Sequence, residues 1–203
     1  MSSINTIFFD VGGVLLTNGW DHNARKLAAE KFDLPLSEFE AAHELYTDPL
    51  DMGLISVNTY LEKVLFDRER NFSKFDFYEF MKSQSIPDHA TISIASRLAQ
   101  QNKHLLATLN NESTDLNLYR IEKFQLGPIF KMFLSSCYLG VKKPDPAIFI
   151  RALLISNRRP EETIFIDDRL QNLDTPRQLG MSVIHFQGAA KLEEDLAALG
   201  LFL

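Results

Sequence analysis

Two apolar runs, Ile7-Phe8-Phe9 near the start and Ile164-Phe165-Ile166 far downstream, each end in acid: Asp10 after the first, Asp167-Asp168 after the second. Short uninterrupted apolar runs read as strands of a parallel sheet, buried on both faces. A polar residue just past such a strand lies at the carboxyl edge of the sheet, where open α/β sheets hold their ligands. Three carboxylates gathered there repel one another unless a cation sits among them. A few hard oxygen donors suit Mg²⁺, which keeps waters and leaves room for a phosphate.

The intervening sequence supports that architecture. Five segments read as strands: 6–9, 104–109, 131–135, 163–166 and 182–186. Between the later four lie helix-length crossovers. Residues 111–127 carry Leu116, Tyr119, Ile121 and Phe124 at near-helical spacing, with Gly127 suited to a C-cap. Asp145-Pro146 reads as an N-cap followed by proline at the first helical position, opening a helix over 147–156. Residues 169–179 form a third crossover, with Gly180 as its stop and Pro176 forcing a late start or a kink. Residues 189–199 are a last helix. Strand–helix alternation of this kind predicts an α/β fold with a doubly wound parallel sheet.

The first gap differs, because about ninety residues separate the first two strands. The pattern there is helical. Ala24, Leu27, Ala28 and Phe32 share one face, Ser37 and Glu40 have capping-box spacing, and Ser56 opens a helix with Tyr60, Leu61, Val64 and Leu65 inward. Phe75, Phe77, Phe80 and Met81 belong to one more, and 88–101 returns as a crossover helix. The expected organisation is a core of residues 1–18 and 85–203, with a small helical domain inserted at 19–84.

At 203 residues with 45% apolar content, the chain can bury a core of this kind. A net charge of −6 without any Lys/Arg-rich stretch argues against nucleic acid or an anionic membrane as partner. Cys137 is the only cysteine, which rules out an intrachain disulfide. No apolar run has signal-peptide or membrane-span character, so the expected location is the cytoplasm. Oligomeric state is not legible.

Several polar residues sit at positions where they can do chemistry. Asp10 is followed by Gly12-Gly13, which permit a sharp turn and close approach of a ligand; a carboxylate beside Mg²⁺ can attack a phosphoryl group. Lys143, just before Pro144, can neutralise nucleophile and phosphate together. Asn110 and Asn111 follow the second strand with amides able to donate to phosphate oxygens. Asn172 lies one turn beyond Asp168 and can orient Lys143 or a metal-bound water. Taken singly, each has a plainer reading: a turn cap for Asp10, a solvated charge for Lys143, an ordinary turn for Asn110-Asn111, and ion pairing to Arg169 or Arg177 for the acid pair.

Taken in order, these residues resemble the haloacid dehalogenase superfamily. Asp10 with Gly-Gly-Val-Leu is similar to its first motif, and Asn110 falls in its second. Lys143 in Gly-x-x-Lys-Pro-Asp-Pro is similar to its third, and Asp167-Asp168 with Asn172 to its fourth. The likeness is greatest to sugar-phosphate phosphatases and the phosphatase domain of soluble epoxide hydrolases. The resemblance implies that Asp10 is the nucleophile and that Asp10, the Gly12 carbonyl and Asp168 hold Mg²⁺, with Asp167 a direct or water-bridged ligand. It also implies that Asn110, Asn111 and Lys143 bind the phosphate of a small metabolite. The inserted helices correspond to a cap that closes over the substrate, with Trp20, His43 and Tyr46 as candidate specificity residues and Trp20 read as hinge packing.

Two departures bear on activity. Gly12 stands where most phosphatases of the family carry a second Asp as general acid and base, and proton transfer typically contributes about 10²–10⁴-fold. Leu109 stands where a Ser or Thr usually precedes the asparagine, and Thr108, one residue away, points to the opposite face. Three functions follow: a Mg²⁺-dependent phosphomonoesterase, a metal-independent 2-haloacid dehalogenase, and a weak or non-catalytic phosphate-binding relative. A response-regulator receiver is excluded, because receivers carry their acid pair on the first strand.

Overall fold

A computed structural model describes residues 4–202; positions 1–3 and 203 of the expected core lie outside the described residues. Five strands form one parallel sheet: β1 (Thr6–Phe9), β2 (Leu105–Thr108), β3 (Met132–Phe133), β4 (Thr163–Asp167) and β5 (Ser182–His185). Their order is β3-β2-β1-β4-β5, so the strand order reverses at β1. Phe9 pairs with Thr108 on one side and Ile166 on the other, which brings the ends of β1, β2 and β4 to one edge.

Between β1 and the second strand lie α1 (His22–Lys31), α2 (Leu36–Asp51), α3 (Val57–Val64), α4 (Lys74–Ser83) and the returning α5 (His89–Gln100). The remaining helices are α6 (Thr114–Lys123), α7 (Ser136–Leu139), α8 (Pro146–Ser156), α9 (Asp174–Gln178) and α10 (Ala189–Ala198). The two-residue period of a buried strand is visible in β1. Ile7 and Phe9 pack with Ile94 and Leu98 of α5 and Leu192 of α10, whereas Phe8 packs on the other face with Ile148 and Phe149 of α8. A third cluster gathers α1–α4 around Tyr60 and Phe77, and Leu116 of α6 joins it. No helix among the described residues is long and apolar enough to cross a membrane.

The chain leaves and re-enters the sheet region through two adjacent linkers. Thr17 N–H donates to the Ile86 carbonyl at 2.8 Å, Ile86 N–H donates to Thr17 Oγ1 at 3.0 Å, and Asp88 N–H donates to the Leu15 carbonyl at 2.9 Å.

Several local expectations are corrected. The capping box at Ser37–Glu40 does not form: α2 starts at Leu36 after Pro35, and Glu40 instead accepts from Arg25 Nε at 3.0 and 3.1 Å. Arg25 is drawn inward by that pair, which turns Leu27 outward to 51% exposure. Phe75 is also exposed. The helix expected over 111–127 is confined to Thr114–Lys123; Ser113 caps its start, and the chain leaves through a left-handed Gln125 rather than Gly127. The 169–179 crossover divides into a 3₁₀ turn, Leu170–Asn172, and α9. Pro176 is the third residue of α9, where a backbone N–H would have no intrahelical partner in any case. The third strand shrinks to two residues, and β4 extends to include Asp167, paired with His185.

Candidate active site

Asp10 leaves β1 with its backbone still tied to the neighbouring strand, donating to the Ile166 carbonyl at 2.9 Å. The chain then folds tightly back, with Leu15 and Leu16 N–H both donating to the Val11 carbonyl. Gly13 is required twice over. Its φ of +81° is left-handed, and a Cβ there would lie 2.3–2.9 Å from the Asp168 carboxylate. Gly12 carries no such demand, since a Cβ would meet nothing closer than Asn18 at 3.4 Å. Gly13→Ala should therefore push Asp168 off the site without unfolding the sheet. The half-saturating Mg²⁺ concentration for activity is expected to rise by about 10–100-fold; an unchanged metal response would contradict that reading of Gly13.

Asp10, Asp167 and Asp168 each offer an oxygen within 4.8 Å of the others. Their surroundings differ. Asp167 is fully buried, and its oxygens accept from Lys143 Nζ at 2.7 Å, Asn172 Nδ2 at 3.0 and 3.1 Å, and Arg169 N–H at 2.8 Å. Among the described residues, Asp168 Oδ1 is buried with no hydrogen-bond partner. A buried carboxylate oxygen left without a donor is costly, and a divalent ion would satisfy it. The donor set, all carboxylate and carbonyl oxygen, is the hard set that Mg²⁺ takes.

Lys143 Nζ also lies 2.9 Å from Asp10, and its ammonium sits 5.3 Å from the centre of the Phe165 ring. Burial alone would push this lysine's pKa down, but the Asp10 and Asp167 carboxylates outweigh it and hold the group above its ordinary value. Burial drives the Asp10 carboxyl well above the usual carboxylate range, against the pull of Lys143 and with a further push from Asp167. A cation among the three carboxylates would act in the opposite direction, favouring the ionised form.

The two asparagine side chains are held differently. Asn110 is buried; its Nδ2 donates to Asn117 Oδ1 on α6 at 3.1 Å. Asn111 clasps the Lys143 backbone, donating to its carbonyl at 2.9 Å and accepting its N–H at 2.8 Å. The cause is the alternation of extended chain: Asn110 follows Thr108 to one side, and Asn111 follows Leu109 to the other. Thr108 Oγ1 is buried away from the site without a partner among the described residues, and Leu109 lies in the core beside Phe8.

Above the sheet edge opens a cavity of about 650 Å³, with Asp10, Gly12 and Lys143 on its floor and Arg25, His43 and Asp51 among the residues of its helical roof. His43 is part of a relay. Trp20 Nε1–H donates to the Tyr60 hydroxyl at 3.1 Å, and the same hydroxyl is hydrogen-bonded to His43 Nδ1 at 2.9 Å. Burial, with Arg25 nearby, pushes the His43 pKa down to about 4. The ring is therefore neutral near pH 7. Trp20 packs edge-on against Phe77 and also reaches the cavity wall; Tyr46 packs within the α1–α4 cluster. Sequence reasoning missed the buried Glu112–Arg120 pair at 2.6 Å, whose arginine also donates to Ser85 Oγ at 3.0 Å. Gly19 was its one trace: φ is +72° there, and a Cβ would collide with the Arg120 guanidinium.

Known proteins share this fold. An HAD family enzyme of Bacteroides thetaiotaomicron, solved with magnesium and inorganic phosphate, superposes with a TM-score of 0.72 at 20% identity, over 90% of this chain and 93% of that one. An L-2-haloacid dehalogenase superposes with a TM-score of 0.62 at 20% identity, over 89% and 83%. Among curated relatives, flavin mononucleotide hydrolase 1 of Arabidopsis thaliana is 32% identical over 39% of this chain and 33% of its own length. Glyceraldehyde 3-phosphate phosphatase of Pyrococcus furiosus is 36% identical over 38% and 32%. The matches thus span about a third of the length of these relatives. The family model described as haloacid dehalogenase-like hydrolase matches residues 4–180. A match of that extent, on a sheet of this topology, makes the chain a member of the haloacid dehalogenase-like hydrolases.

Proposed function

We propose that the chain hydrolyses a small phosphomonoester in the presence of Mg²⁺, with Asp10 as the nucleophile. The observation that carries this reading is the pairing of Asp10 with a buried ammonium on the floor of a partly open polar cavity, beside an unsatisfied Asp168 oxygen. Asp10, Asp168 and the Gly12 carbonyl would hold Mg²⁺, which would neutralise charge on the phosphate. Asp10 attacks phosphorus to give an aspartyl-phosphate, and water then releases inorganic phosphate. Lys143 offsets the charge of both carboxylate and phosphate. Asp167 and Asn172 keep its ammonium in place, and Asn111 fixes its backbone. The remaining amide proton of Asn111 and the backbone N–H groups after β2 supply phosphate donors in place of the Asn110 side chain.

The activities of the two curated relatives support phosphoester chemistry, and the magnesium and phosphate of the Bacteroides enzyme support the metal. A cavity of about 650 Å³ suits a small phosphorylated metabolite, and sugar phosphates are the first class to assay. Phosphate release from an aryl phosphate or a sugar-phosphate panel is expected with Mg²⁺. It should fall to background in EDTA and return on adding Mg²⁺. No turnover on any of them by folded protein rejects the reading.

A second reading, a metal-independent 2-haloacid dehalogenase, draws on Gly12 and on the structural likeness to a dehalogenase. The Asp168 carboxylate opposes it, because that charge would repel a departing halide. Chloride release from 2-chloropropionate without metal would decide for it.

A further inference from the structure

Hydrolysis through Asp10 needs two proton transfers, one onto the leaving oxygen and one off the attacking water. Gly12 has no side chain to perform them. Other titratable groups on the cavity wall are engaged. Lys143 is held charged between Asp10 and Asp167. Glu112 is committed to Arg120, and Asp21 caps α1 by accepting the Ala24 N–H at 2.9 Å. His22 and Arg25 are both paired with Glu40. His43 loses its charge far below neutrality. Asp51 is the exception: it is one of the residues lining the cavity, and its carboxylate makes no hydrogen bond or ion pair among the described residues.

We propose that Asp51, the last residue of α2, is the proton donor and acceptor of the reaction, supplied from the helical roof in place of the side chain absent at position 12. This rests on the phosphomonoesterase reading above. The end of α2 is seated firmly on the sheet domain. The Asp51 carbonyl accepts from Ser136 Oγ at 2.5 Å, and that same oxygen accepts the Glu112 N–H at 3.0 Å, one residue from the Asn111 that clasps Lys143. Two residues on, Gly53 has φ +69° and lies so close to α7 that a Cβ would meet the Cys137 carbonyl at 2.4 Å.

The charged groups facing Asp51 come from four directions: Asp48 on its own helix, Glu112 after β2, Lys142 before α8 and Arg169 after β4. Burial is the largest influence; Glu112 and Asp48 add to it, Lys142 and Arg169 oppose it, and the carboxyl is raised to about 7. The negative end of α2 acts in the same direction. Both protonation states are then populated near neutral pH, as a group that gives and takes a proton requires.

In the first step an Asp10 oxygen bonds to phosphorus, the bond from phosphorus to the substrate oxygen breaks, and that oxygen takes the Asp51 proton to leave as an alcohol. In the second step water bonds to phosphorus and gives a proton to the Asp51 carboxylate. The phosphorus–Asp10 bond breaks, and inorganic phosphate leaves with both groups restored.

The test compares first-turnover rates of wild type and Asp51→Asn, with Mg²⁺ present. 4-Nitrophenyl phosphate has a leaving group that departs without a proton; an alkyl sugar phosphate does not. Asp51→Asn should slow the alkyl first turnover by at least about 100-fold, and the aryl first turnover by less than tenfold. Phosphorylated Asp10 should accumulate with the aryl substrate, seen as an adduct by intact mass after acid quench. Wild-type alkyl turnover should decline as pH rises through neutrality, and Asp51→Asn should lose that limb. Asp51→Glu should regain part of the alkyl rate. Equal losses on both substrates, or none on either, overturn the proposal. Wild-type protein that turns over neither substrate removes the phosphomonoesterase reading itself, and the inference with it.

Discussion

Asp10→Asn is expected to lower phosphate release by on the order of 10⁵-fold while the protein stays folded. The amide keeps the shape of the carboxylate but cannot form the acyl-phosphate bond. Its effect on stability should be small. The substitution removes a carboxylate whose burial favours its neutral form, and Lys143 keeps Asp167 at 2.7 Å. The melting temperature should move by a few degrees at most, a change of about 1 kcal/mol. Turnover and thermal unfolding on the same preparation check both parts. A variant that retains a hundredth of wild-type activity would end the case for Asp10 as nucleophile.

Lys143→Ala should have the opposite profile, destroying stability as well as activity. The Lys143 side chain is 2% exposed, and its ammonium stands between two carboxylates. Without it, Asp10 and Asp167 face each other in a site of low dielectric, and the hole left by the lysine stem exposes the Phe165 ring. Removing one partner of a buried ion pair costs about 3–5 kcal/mol, because the remaining charge stays desolvated. Urea unfolding in EDTA is the direct measurement. A midpoint close to wild type would mean that the ammonium is only a surface charge, contrary to its burial.

Both residues could be found in the sequence because their signals are local. An acid at the end of an unbroken apolar run and a lysine bound to a proline-led helix start mark a sheet edge whatever the rest of the chain does. The sheet was legible for the same reason, down to the acid pair at the end of β4. Which of Asn110 and Asn111 turns toward the cavity was not legible, because the phase of the chain after β2, and not the Asn-Asn pair itself, decides it. The Ser37–Glu40 spacing misled because Arg25, on another helix, claims the glutamate. Asp51 carries no signal in its neighbourhood; its surroundings exist only once α2 is laid against the loops after β2 and β4. The His43–Tyr60–Trp20 relay likewise joins three separate segments.

The paired linkers at Leu15–Thr17 and Ile86–Asp88 have a consequence for how such a molecule can change over time. Because exit and return are hydrogen-bonded side by side, the sheet sees everything between them as one excursion that starts and finishes in nearly the same spot. Closing an excursion of that kind costs only about 0.6 kcal/mol more for each doubling of its length. Segments can be gained, lost or exchanged between those two crossings with little penalty to the strands below, so the helical layer is free to drift while the sheet edge beneath it stays constant.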